Sequence, residues 1–96
     1  MTRRAEHLEK TALLRARLAE LRRARDHLAA AKAEEDHQAR RLTESLERAG
    51  GRDRDSESRL SLLDEGRRLT AKALDKTERE IAELEGRLAA LNSARG

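Results

Sequence analysis

The sequence predicts an all-α fold: an antiparallel two-helix coiled-coil hairpin that assembles into a four-helix bundle. Three observations predict it. Leucine recurs at alternating spacings of three and four in both halves of the chain. One internal stretch, Ala49-Gly50-Gly51-Arg52-Asp53-Arg54-Asp55-Ser56, breaks that pattern. The apolar set is almost wholly Ala and Leu, with Ile81 and Met1 the exceptions among 96 residues and no aromatic residue, Pro or Cys present.

These observations exclude several classes. Ninety-six residues make at most one domain, so 1–96 is read as a single hairpin. Ile81 is the one β-branched aliphatic residue, which argues against a β-sheet. The 43% charge would suit a disordered chain, but disordered chains have no reason to space leucines periodically. About half the chain or more is Ala, Glu, Lys, Leu and Arg, the composition of a long helix or coiled coil. No signal-peptide core follows Met1, and no apolar run approaches the ~18 residues that span a bilayer. A cytoplasmic protein with no membrane contact is expected. The excess of 18 Arg over 4 Lys hints at a GC-rich bacterial genome.

Helix 1 is expected over about 3–49, with Thr2 as its cap. Its seam is Leu14, Leu18, Leu21, Arg25, Leu28, Lys32, Glu35, Ala39, Leu42 and Leu46. Two adjacent glycines cost a helix interior roughly 1 kcal/mol each, so Gly50-Gly51 ends it, and the turn occupies 50–53. Asp53 or Asp55 caps helix 2, expected over about 54–94, and Gly96 closes it. The second seam is Leu60, Leu63, Arg67, Thr70, Leu74, Thr77, Ile81, Leu84, Leu88 and Leu91. Gly66 and Gly86 are isolated inside it and tolerated at a cost. A single long helix pairing with another chain is the competing architecture.

In an antiparallel pair, facing residue numbers add to a constant. Sums of 102 and 109 are both geometrically available. The first pairs Leu14 with Leu88, Leu18 with Leu84, Leu21 with Ile81, Leu28 with Leu74 and Leu42 with Leu60. It sets Arg25 against Thr77, Lys32 against Thr70 and Glu35 against Arg67. The second would bury Leu42 on Arg67 and Leu84 on Arg25, at a few kcal/mol each on the order of an unpaired buried polar group. The first register is preferred. It also places Arg22 beside Glu78, Arg15 beside Glu85 and, against the trend, Arg17 beside Arg87.

Arg25, Lys32, Glu35 and Arg67 therefore form a polar section of the seam that specifies register at a cost in stability. Beyond the seam, Leu62, Leu69 and Leu13, with Leu8, are spare leucines, and Ala31 and Ala73 allow close backbone approach. Leu62, Leu69, Leu13, Ala31 and Ala73 are the candidate partner-binding residues. The expected partner is a second copy of the chain or another helical protein.

Other chemistries have weaker support. Residues 3–25 carry a net charge of +5, and Arg3, Arg4, Arg22 and Arg23 are candidate phosphate contacts. No aromatic residue can stack on a base, and the basic arm lies beside acidic residues of helix 2, so nucleic acid is not the favoured partner. Glu34 and His37 form one Glu-x-x-His pair, the spacing of di-iron bundles, but they face away from the seam and have no second pair. The serines have no His base at a workable position, and Gly50-Gly51 lacks the Lys-Ser/Thr of a phosphate loop. No enzyme, metal, cofactor or small-molecule ligand is expected. In length, helix number and lack of cysteine the chain is similar to the small hairpin proteins of type VII secretion. Their Trp-x-Gly turn is replaced here by Ala49-Gly50-Gly51, and no Trp or Tyr occurs, so the similarity is one of length and shape. The expected function is non-enzymatic assembly or adaptation. The alternatives are weak, sequence-independent nucleic-acid binding and a diverged accessory role in secretion.

Overall fold

A computed structural model describes residues 3–51 and 53–95, Arg95 by its backbone alone. Thr2 and Gly96, expected at the helix ends, and Arg52 in the turn lie outside the described residues. Two helices, α1 (Arg3–Arg48) and α2 (Arg54–Arg95), pack against each other as an all-α hairpin. The competing single long helix does not form, because the backbone turns between them. Both helices are made mainly of Ala, Leu, Arg and Glu, the strongest helix formers. Glu6 stands in the first turn of α1 and Arg48 in its last, while Asp55 and Glu57 stand in the first turn of α2. Each of these charges complements its end of the helix dipole.

The turn is built from two caps. Gly50 adopts φ +87°, and its N–H donates to the Glu47 carbonyl at 3.2 Å. The Gly51 N–H donates to the Leu46 carbonyl at 3.1 Å. These two bonds define a Schellman motif, with Gly50 in the left-handed conformation that a Cβ disfavours. Gly51 also has positive φ, at +148°. Two residues later Asp53 caps α2: its Oδ1 accepts from the Ser56 N–H at 2.7 Å. That bond holds the Asp53 carboxyl below its ordinary pKa, because the N–H favours the charged form. Of the two caps offered by the sequence, Asp53 makes this bond.

The chain divides into two compact units, Met1–Asp26 with Asp75–Gly96, and His27–Leu74. In the first, Leu18 (2% exposed), Leu21 and Ile81 form the buried cluster, with Leu84 and Leu88 packed on it. Thr11 is also buried there, and its hydroxyl donates to the His7 carbonyl at 2.8 Å. In the second unit Ala39 and Leu60 are buried. Every seam position expected from the leucine spacing is buried or half-buried in its unit. Full burial of one Leu contributes roughly 1.5–3 kcal/mol, so a thin seam of this kind can hold two helices together.

The cluster of Leu18, Leu21, Ile81 and Leu84 is compatible with facing numbers that sum to 102. An ion pair supports that register. Arg17 and Glu80 approach to 3.6 Å on one edge of the seam, a pairing that the 109 register would pull apart.

Candidate interaction surface

Seam residues occupy heptad positions a and d, and the flanking positions e and g form two edges. In the unit His27–Leu74 the polar seam residues resolve their charges by reaching to an edge. Arg67 does not meet Glu35, as facing numbers would suggest. Its Nε donates to Asp36 Oδ1 at 2.8 Å, and a second guanidinium nitrogen donates to Asp64 at 3.1 Å. Glu35 instead accepts from the Thr70 hydroxyl at 2.6 Å. Lys32 donates to Asp36 Oδ2 at 3.1 Å. Asp36 thus receives two cations, and the Arg67 hydrogen bond, followed by that of Lys32, holds its carboxyl below the ordinary 3.8. The same bond raises the Arg67 guanidinium above its usual value. Long Lys and Arg stems lie along the seam while their heads reach the edge. Asp36, an edge residue, was not singled out by the sequence pattern; its place one position after Glu35 was the available signal.

In the other unit Arg25 pairs locally with Asp26 at 3.3 Å. Arg22 lies 3.5 Å from Glu85 rather than beside Glu78. Helical side chains tilt toward the N-terminus of their own helix. In an antiparallel pair that tilt carries Arg22 toward higher numbers on α2 and brings Glu85 back to meet it. Arg17 bends the other way, held at 3.2 Å by Glu20, and does not oppose Arg87, which pairs with Glu83 at 2.6 Å. Arg3, Arg4 and Arg23 are exposed. His7 is half-buried on an extension of the α1 seam, and its Nε2 is buried with no hydrogen-bond partner. The leucine count could not show that the seam continues through Thr11 and His7, because neither is apolar.

The spare leucines are the most exposed large apolar groups described: Leu62 71%, Leu13 66%, Leu69 58% and Leu8 49%. Leu62, Leu69 and Leu13 occupy c positions, while Ala31 and Ala73, also exposed, occupy g positions. In one unit Leu13 lines an open groove of about 530 Å³ with Leu14, Ala90 and Leu91, rimmed by Lys10 and Arg87. In the other, Leu62, Gly66, Leu69 and Ala73 recur along α2 at spacings of four, three and four. This is a second apolar stripe on the same helix, beside the seam. A Cβ added at Gly66 would meet Glu35 Oε2 at 3.6 Å, an ordinary contact. Nothing inside the hairpin therefore requires glycine there. Gly86, exposed with open space around it, has no explanation in the structure.

The remaining candidates are plain. Glu34 Oε1 accepts from Gln38 Nε2 at 3.3 Å, and His37 is exposed beside it. Among the described residues no group of three or more His, Cys, Asp or Glu is placed to hold a metal ion. No described helix is long and apolar enough to cross a membrane. An open groove of about 550 Å³ on the opposite edge of the His27–Leu74 unit is lined mainly by charged side chains, including Asp36, Arg40, Asp64 and Arg67. Comparison with family models, curated proteins and solved structures gives no match to this chain.

Proposed function

We propose that the protein is a non-enzymatic assembly or adaptor module of the cytoplasm, which associates with itself or with another helical protein. The observation that carries this reading is the exposure of Leu62 and Leu69 on a helix whose own seam is already filled. Scattered exposed leucines are common on protein surfaces. These two stand one heptad apart, with Gly66 and Ala73 completing the spacing, which is the pattern of a helix that packs on a helix. Apolar contact would supply affinity, and the charged flanks would supply specificity.

The test compares two variants by sedimentation equilibrium and by binding to short duplex DNA. Leu62→Asp with Leu69→Asp is expected to abolish assembly while circular dichroism stays helical. Arg3→Glu, Arg4→Glu and Arg23→Glu together are expected to leave assembly intact. Retention of assembly by the leucine variant refutes the proposed surface. Tight, salt-sensitive DNA binding lost only in the arginine variant would favour the nucleic-acid reading instead.

A further inference from the structure

Resting on that reading, we propose that the occupant of the Leu62–Ala73 stripe is a second copy of this chain, docked α2 against α2 about a two-fold axis. An isologous contact must be self-complementary, so the stripe can be tested against its own reverse. Antiparallel pairing with facing numbers that add to 135 sets Leu69 on Gly66 of the second copy and Leu62 on Ala73. The two-fold repeats both contacts. Each large side chain then meets a small one, twice over. Sliding the pair by one heptad sets Leu69 against Arg59 in one direction and Leu62 against Glu80 in the other. Both slides would bury a charge on an apolar group without a partner.

At a sum of 135 the stripe ends with Arg59 facing Lys76 of the other copy, like charges that are both exposed and free to turn toward solvent, whereas the charges beside its centre are complementary. Glu65 and Lys72 flank the stripe on its outer side, and both are exposed. At a sum of 135, Glu65 of one copy neighbours Lys72 of the other, in two equivalent pairs. Gly66 supplies the remaining argument. A glycine inside a helix is a cost, and the hairpin does not demand it, because a Cβ there would make only an ordinary 3.6 Å contact with Glu35 Oε2. The lack of a side chain at Gly66 would let the second copy's Leu69 sit against the helix surface beside Glu35, bringing the two α2 backbones close. Two hairpins joined in this way form a four-helix assembly.

The interface is small, and a dissociation constant in the range of about 5–500 µM is expected. The experiment is sedimentation equilibrium on the full chain across that range, read by interference optics because the chain has no aromatic residue. Wild type is expected to be a dimer at the upper concentrations. Gly66→Ala is expected to keep or raise the melting temperature, because its Cβ makes only an ordinary contact, and Gly66→Leu is expected to weaken the dimer about tenfold or more while the chain stays helical, because it fills the place of the incoming leucine. Glu65→Lys and Lys72→Glu are each expected to weaken the dimer several-fold, and the double swap to restore it. A wild-type dimer indifferent to Gly66→Leu and to the swaps overturns this inference and leaves self-association through another face. A wild type that remains a folded monomer throughout overturns it as well, and leaves only a different helical protein as partner.

Discussion

At the scale of single residues, Asp36 carries the clearest electrostatic consequence. Its carboxylate receives Arg67 at 2.8 Å and Lys32 at 3.1 Å, so its folded pKa lies below the ordinary 3.8. A group with a depressed folded pKa contributes stability that is fully present above the unfolded value. That contribution is lost as pH falls from about 3.8 through the lower folded value. Thermal melts from pH 7 to pH 2 should show the wild type losing stability across that window. Asp36→Asn should start less stable at pH 7 and lose less on acidification. Equal acid slopes in the two proteins would show that the bond is absent in solution. Leu18 presents the apolar counterpart. At 2% exposure it is the most buried leucine, and Leu18→Ala should cost about 2–5 kcal/mol in urea unfolding. For a two-helix seam a loss of that size should be visible as partial unfolding at room temperature.

At the scale of elements, the turn is the most constrained part. Gly50 needs positive φ, and an L side chain there costs about 1–2 kcal/mol. Gly50→Ala should lower the melting temperature even though nothing lies within 4 Å of the added methyl. A neutral result would mean that the Schellman bonds do not persist in solution. Most of this architecture is legible in the residues themselves. Leucine spacing marks the seam, and Gly50-Gly51 followed by Asp53 marks the break, because both signals act within one turn of chain. The partners of the charged groups are not legible in the same way. Arg67 was expected to face Glu35 and bonds Asp36; Arg22 was expected beside Glu78 and lies by Glu85. Facing numbers describe backbone levels, whereas long side chains travel up to a turn along the helix before they end. A different limit hid the α1 seam at Thr11 and His7, where polar residues occupy seam positions that a leucine spacing passes over. Leu62 and Leu69 are recognisable as surplus from the heptad alone, but that the hairpin would tolerate a Cβ at Gly66 required coordinates.

At the scale of the whole molecule, the composition and the fold answer each other. A chain without aromatic residues suits a core with no irregular space to fill, and the five buried apolar residues described are three Leu, one Ile and one Ala. The order of contacts along a hairpin carries a kinetic consequence. Closing the chain near Gly50 fixes few residues, whereas bringing Leu18 to Ile81 closes a loop of roughly sixty, at a loop-closure entropy that grows with its length. Folding should therefore begin at the turn and zip outward. The glycine turn makes the first step cheap, and the tightest cluster, at Leu18, Leu21 and Ile81, forms late. Substitutions at the turn should slow folding, while substitutions at Leu18 should mainly hasten unfolding. The lifetime of the folded hairpin would then be set by the cluster that forms last.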